Sequence, residues 1–128
     1  MKRILLDTHT LLWWLADDKA LGKAAKALIS DARNEVLVSA VTTWEIAIKK
    51  KKGLLTAPDN MDAIIEDEGF SKLPISLFHG EQAGSLQDIH RDPFDRMLIA
   101  QTQAEGLELL TADSTIPKYG IRTINASK

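Results

Sequence analysis

Short apolar runs that stop at an acid or a hydroxyl, each followed by a stretch with helical spacing, restrict the folds open to this chain. Ile4-Leu5-Leu6-Asp7, Val36-Leu37-Val38-Ser39 and Leu107-Glu108-Leu109-Leu110-Thr111 have the length and the flanking signals of buried strands. Thr8 can cap a helix carrying Leu11, Leu12, Trp13, Trp14 and Leu15, and Leu21, Ala24, Ala25, Leu28 and Ala32 mark a second helix. Thr42 or Thr43 opens a third that Gly53 ends, with Val41, Trp44 and Ile48 on one face and Glu45 beside it. Asp59 or Asn60 begins a short helix closed by Gly69, and Ser76 precedes another over Phe78 to Leu86. Asp92-Pro93 is a cap followed by proline at the first helical position, opening a buried helix that Gly106 stops. With Phe70 to Ile75 extended and Ile121 to Ile124 as a last strand, strands and helices alternate. That alternation implies an α/β fold, a three-layer α/β/α sandwich around a central, mainly parallel sheet. Strand order is left open.

At 128 residues and 45% hydrophobic, the chain can fill one core, so residues 1–128 are expected to form a single domain. It has no cysteine, which removes disulfides, thiolate catalysis and cysteine-bearing zinc sites. Lys2 and Arg3 are followed by only three apolar residues before Asp7, too few for an export signal, and no run approaches membrane-spanning length. A cytoplasmic protein with no membrane partner is expected. Sixteen Lys and Arg against eighteen Asp and Glu give a net charge of −2, not the balance of a general nucleic-acid binder. Any affinity for phosphate has to be local. Lys49 to Lys52 form the obvious concentration, and they also suit a solvated helix end.

Four acids stand at the ends of these elements or in their first turns: Asp7, Glu45, Asp95 and Asp113. In an open α/β sheet such positions can converge on one crevice beyond the carboxyl ends of the strands. Each acid also has a local explanation. Asp7 can form a turn, Glu45 can pair with Lys49 four residues on, and Asp113 can cap the segment after it. Asp92 reads as a helix cap, whereas Asp95 lies among Phe94, Leu98 and Ile99, where an unpaired charge is costly to bury. Four carboxylates that gather need a cation. Mg²⁺ or Mn²⁺ accepts one or two carboxylates with water and phosphate oxygens, lowers the pKa of its water and steadies a leaving oxygen, so phosphodiester hydrolysis is the chemistry such a site suits.

His9, His79 and His90 lack a paired ligand spacing, so zinc is a poor reading and all three are expected in loops or on helix surfaces, with His9, two residues from Asp7, the one to watch. Trp13, Trp14 and Trp44 are expected to be packing anchors, although Trp13 and Trp14 cannot face the same way. Arg91 and Arg96, with Lys49, are candidates to meet phosphates.

Together these strings resemble the PIN-domain ribonucleases, and most closely the VapC-type toxins of bacterial toxin-antitoxin pairs. The resemblance is carried in order by Leu5-Leu6-Asp7-Thr8-His9, Ser39-Ala40 with Trp44-Glu45-Ile46-Ala47, His90-Arg91-Asp92-Pro93-Phe94-Asp95-Arg96 and Leu109-Leu110-Thr111-Ala112-Asp113. It puts the family's acidic quartet on Asp7, Glu45, Asp95 and Asp113, and a family hydroxyl near the metal on Thr111, with Thr8 and Asp92 as further supporting residues. Ser114-Thr115-Ile116-Pro117 departs from the family pattern. The resemblance implies Mg²⁺- or Mn²⁺-dependent cleavage of RNA, a homodimer, and a cognate antitoxin.

Two other classes compete. A PIN-like scaffold could bind RNA or protein without turnover. A phosphatase fits poorly, because His9 stands where such enzymes place a second acid.

Overall fold

The computed structural model describes residues 1–128. Five strands, β1 (Arg3–Leu6), β2 (Glu35–Ser39), β3 (Ser71–Leu73), β4 (Glu108–Thr111) and β5 (Thr123–Asn125), form one sheet in the order β3-β2-β1-β4-β5. Every neighbouring pair is parallel. The helices are α1 (Thr8–Ala16), α2 (Lys23–Ser30), α3 (Ala40–Lys51), α4 (Met61–Asp67), α5 (Leu77–Ser85) and α6 (Pro93–Glu105), with a 3₁₀ turn at Ile116–Tyr119.

Side chains alternate across the sheet with a period of two, and each face gathers its own core. Ile4, Leu6, Val36, Val38 and Leu110 pack with Leu11 of α1, Ala25 and Ile29 of α2, and Met61 and Ile65 of α4. Leu5, Leu37 and Leu109 point the other way, against Leu98 and Ile99 of α6 and Ile116. Register places Leu5 between Leu37 and Leu109. Each of these fully buried leucines contributes about 2 kcal/mol of hydrophobic transfer energy. The result is the three-layer α/β/α sandwich.

Chain direction across the sheet reverses once. From β1 the chain steps outward to β2 and β3, then returns past its start to β4 on the opposite side of β1. The connections before and after that reversal pack on opposite faces, which opens a crevice at the carboxyl ends of β1 and β4, where Asp7 and Asp113 lie.

Several local details differ from the sequence-based expectation. Asp7 itself, not Thr8, caps α1, accepting from the Thr10 amide at 2.8 Å. Ser39 caps α3, so that helix begins at Ala40, earlier than Thr42. The core side of α3 takes Val41, Glu45 and Ile46, while Trp44 is 58% exposed. The final strand is shifted to Thr123–Asn125, and only Ser71–Leu73 of the Phe70 to Ile75 segment pairs. Gly106 closes α6 at φ 65°, a left-handed conformation that side chains with a Cβ disfavour.

Candidate active site

Asp7 emerges from β1 into the crevice with both carboxylate oxygens held. Oδ1 accepts from the Thr10 amide, and Oδ2 accepts from the Thr111 hydroxyl at 2.5 Å. Thr111 ends β4, and its Oγ1 also accepts from the Asp113 amide at 3.1 Å. One hydroxyl therefore ties together the ends of two neighbouring parallel strands.

Glu45 reaches the crevice from the second turn of α3. The Thr8 hydroxyl donates to its Oε1 at 2.6 Å and the Lys49 ammonium donates to its Oε2 at 2.5 Å. The Glu45 side chain is only 5% exposed and that of Lys49 is 28% exposed. The Glu45 hydrogen bond raises Lys49 above its ordinary pKa against the opposing effect of burial, and the charges of Asp92 and Asp95 add to the rise.

Asp92 and Asp95 divide their work as their positions in α6 require. Asp92 caps the helix, accepting from the amides of Phe94 at 2.8 Å and Asp95 at 3.3 Å, a cap worth about 1 kcal/mol. Asp95 turns inward. Burial first, then the negative charge of Asp92, push its carboxyl from the ordinary 3.8 up to about 7, with Glu45 and Asp7 adding to the rise and His90 opposing it. That response joins Asp95 electrostatically to Asp7 and Glu45, from two other segments of the chain.

Asp113 gathers with Asp95 and His90, whose ligand-capable atoms lie within 4.8 Å of one another, a cluster that Asp7 and Glu45 do not join. Burial would raise its carboxyl, but the His90 hydrogen bond and the Thr115 amide together outweigh it and hold Asp113 below its ordinary value. The Thr115 N–H donates to Oδ1 at 2.7 Å, and His90 Nε2 lies 3.0 Å from Oδ2. The same nitrogen is 3.2 Å from Asp95 Oδ2.

His90 lies in a loop, as the sequence indicates, but its contact with the acids is not something the sequence showed. The local sign was its place just before the Asp92 cap, and its contact with Asp113 is made 23 residues away in sequence. His79, by contrast, is no surface residue. It is buried, accepts from the Ser76 amide to cap α5, and its Nε2 sits 2.9 Å from Glu105 on α6. His9 is exposed beside Trp13 and makes no hydrogen bond to the acids.

Among the basic candidates, Arg96 needs correction. Its guanidinium donates to four backbone carbonyls, those of Ala83, Leu86, Gln87 and His90, at 2.9 to 3.2 Å. It fastens the loop before α6 and is not free to take a phosphate. Arg91 is exposed at a polar depression of about 300 Å³ shared with Asp88, His90 and Arg96. Lys49 faces Glu45 and lies 6.0 Å from the Phe94 ring centroid, and that ring meets Trp44 edge-on at 5.2 Å.

The carboxylates fit a hard divalent cation: they are oxygen donors oriented by threonine hydroxyls and backbone amides, and Asp95 carries the electrostatic strain of an acid crowded by acids. The sequence model of the PIN domain matches residues 4–121. The chain belongs to the PIN domain family. Over 62 residues it is 36% identical to ribonuclease VapC16 of Mycobacterium tuberculosis, a match covering 45% of this chain and 43% of that protein, less than half of either. Solved PIN-like folds resemble it over nearly their whole length. The DNA-bound VapBC of Salmonella typhimurium superposes with a TM-score of 0.71 at 18% identity, covering 97% of this chain and 98% of that one. A toxin-antitoxin complex from Klebsiella pneumoniae gives 0.65 at 20% identity, with 96% and 97% covered. At such identities the likeness is one of fold. No helix in this PIN domain is long and apolar enough to cross a membrane.

Proposed function

We propose that the protein is a Mg²⁺- or Mn²⁺-dependent endoribonuclease of the cytoplasm and the toxin of a toxin-antitoxin pair, with Asp7, Glu45, Asp95 and Asp113 as the residues that hold the ion. The observation that carries this reading is geometric: carboxylate oxygens of Asp95 and Asp113 lie within 4.8 Å of one another beside the Thr111 hydroxyl that joins Asp7 to the Asp113 amide, in a chain that matches the PIN domain over residues 4–121. A cluster that disfavours its own charge gains most from a cation. When bound, the ion supplies the Lewis acidity that makes water nucleophilic at neutral pH and offsets charge on the leaving oxygen.

The chain's own residues have distinct tasks in this scheme. Thr111 and the Thr10 amide fix the Asp7 carboxylate, Thr8 fixes Glu45, and Asp92 anchors the helix turn that presents Asp95. Arg91, exposed beside the loop of His90, and Lys49, at the rim, are placed to meet phosphate oxygens of the RNA. A cognate antitoxin is the expected protein partner, as the VapBC and toxin-antitoxin assemblies of similar fold suggest, and a homodimer is expected from the family resemblance alone.

The test is cleavage of single-stranded RNA by the purified chain with Mn²⁺ or Mg²⁺, with chelator as control. Asp7→Asn and Asp95→Asn should abolish cleavage and growth inhibition while circular dichroism remains native. Undiminished cleavage in either variant would remove the four-acid site. Co-expression of the antitoxin should restore growth.

One observation favours a second reading, that of a binding module without turnover: the Lys49 ammonium already neutralises Glu45. RNA binding with no metal-dependent turnover in the same assay would decide for it.

A further inference from the structure

His90 is fastened from several directions before its ring reaches the acids. Its amide donates to the Tyr119 hydroxyl at 2.7 Å, and its carbonyl accepts from the Arg96 guanidinium at 3.2 Å. Its Nδ1 accepts from the Asp92 amide at 3.2 Å. A neutral ring whose Nδ1 lone pair faces an N–H carries its own hydrogen on Nε2. That Nε2–H points into the crevice, donating to Asp113 Oδ2 at 3.0 Å with Asp95 Oδ2 3.2 Å away. The nitrogen thus stands between carboxylates from two elements, hydrogen-bonded to Asp113 in the segment after β4 and within ion-pair distance of Asp95 in the first turn of α6.

The ligand-capable atoms of His90, Asp95 and Asp113 lie within 4.8 Å of one another, a spacing that would also suit a site with imidazole as a third ligand. The Asp92 amide opposes that use. To offer Nε2 to a cation, the neutral ring would have to move its hydrogen to Nδ1, where it would meet the Asp92 N–H head-on. A nitrogen that keeps its hydrogen cannot ligate.

We infer that His90 is a positioning residue for the metal site proposed above, and not one of its ligands. Its Nε2–H draws one oxygen of Asp95 and one of Asp113 toward a common point, leaving the second oxygen of Asp95 for a cation. Arg96 and Tyr119 hold the backbone of His90, so the guanidinium acts on the acids at one remove. Residues that orient ligands in this way typically change metal affinity by about 10- to 100-fold when removed.

Mn²⁺ binding to the full chain, measured by calorimetry and by pulsed EPR of the bound ion, tests this. His90→Ala should weaken Mn²⁺ and Mg²⁺ alike by about tenfold or more, and should lower kcat with KM little changed. His90→Gln, whose amide N–H₂ can reach the same carboxylates, should recover much of the loss. Pulsed EPR of the wild-type Mn²⁺ complex should show no directly bound imidazole nitrogen. A directly bound nitrogen would overturn the assignment, as would unchanged Mn²⁺ affinity in His90→Ala. Should His90→Ala fail to fold, His90→Gln and the wild-type EPR spectrum decide. Asp95→Asn separates the two levels: if it loses Mn²⁺ while His90→Ala does not, the metal site stands and the role of His90 falls. If the wild type binds no Mn²⁺, both fall.

Discussion

Asp95→Asn should make the folded protein more stable while removing its activity. In the unfolded chain this carboxyl gives up its proton near 3.8, whereas in the folded protein it keeps it until about pH 7. Between those values the folded state binds more protons than the unfolded one, so stability falls as pH rises through the window and stays reduced above it. The gap from 3.8 to about 7, at about 1.4 kcal/mol per pH unit, sets a ceiling of about 4 kcal/mol. The side chain is 23% exposed, which lets water and counter-ions screen part of that, and a charged acid in the first turn of α6 repays about 0.5 kcal/mol through the helix dipole. Asparagine keeps an acceptor for His90 and removes the charge. Asp95→Asn should therefore be about 2 kcal/mol more stable than wild type at pH 8 in urea unfolding, and no more stable at pH 4. Saturating Mg²⁺ should raise the wild type toward the variant and leave the variant unmoved. An Asp95→Asn protein no more stable than wild type at pH 8, or equally stabilised at both pH values, would refute the electrostatic account of the site.

Arg96→Ala should lower stability by about 3 kcal/mol, because four carbonyls lose a charged donor and not all of them can rehydrate. Thermal unfolding checks this, and a variant of native stability with weakened, salt-dependent RNA binding would return Arg96 to the phosphate-contact role. Thr111→Val should cost about 2 kcal/mol by stripping a buried donor from Asp7 and an acceptor from the Asp113 amide, and RNA cleavage should fall with it while KM stays near the wild-type value. Lys49→Met should cost about 2 kcal/mol by leaving the buried Glu45 unpaired. The Lys49 pKa is raised, so this contribution is fully present below its unfolded value and is lost as pH rises through the folded one; pH-dependent urea midpoints should converge between wild type and variant in strong alkali.

The frame of the fold was legible because it depends on local signals that agree with one another. Apolar runs at Ile4, Val36 and Leu107 pair in parallel at the centre of the sheet, and the Asp92-Pro93 start and Gly106 stop of α6 are chemically specific. Strand order was not legible, since nothing in Leu5 or Leu109 says that they will be neighbours. The start of α3 was missed because Ser39 competed with two threonines for the cap, and which arc of that helix faces the core, burying Glu45 and leaving Trp44 exposed, is set by the elements packed against it and not by the helix's own spacing. The placement of Asp7 and Asp113 at strand ends could be foreseen from the alternation alone. His90 and Arg96 could not, because their roles are set by Asp113 and by backbone carbonyls that only tertiary structure brings near.

The order of strands also governs when the acids can meet during synthesis. Asp7 and its partner Thr111 are 104 residues apart, and β4 enters the sheet beside β1 after β2 and β3 have been made. An emerging chain can pair β1 with β2 early, but one edge of β1 stays open and the acid crevice has only one wall until β4 arrives. A nascent chain that has not reached Thr111 lacks the hydroxyl that orients Asp7 and lacks Asp113 altogether, so the proposed site cannot form before β4 has been made.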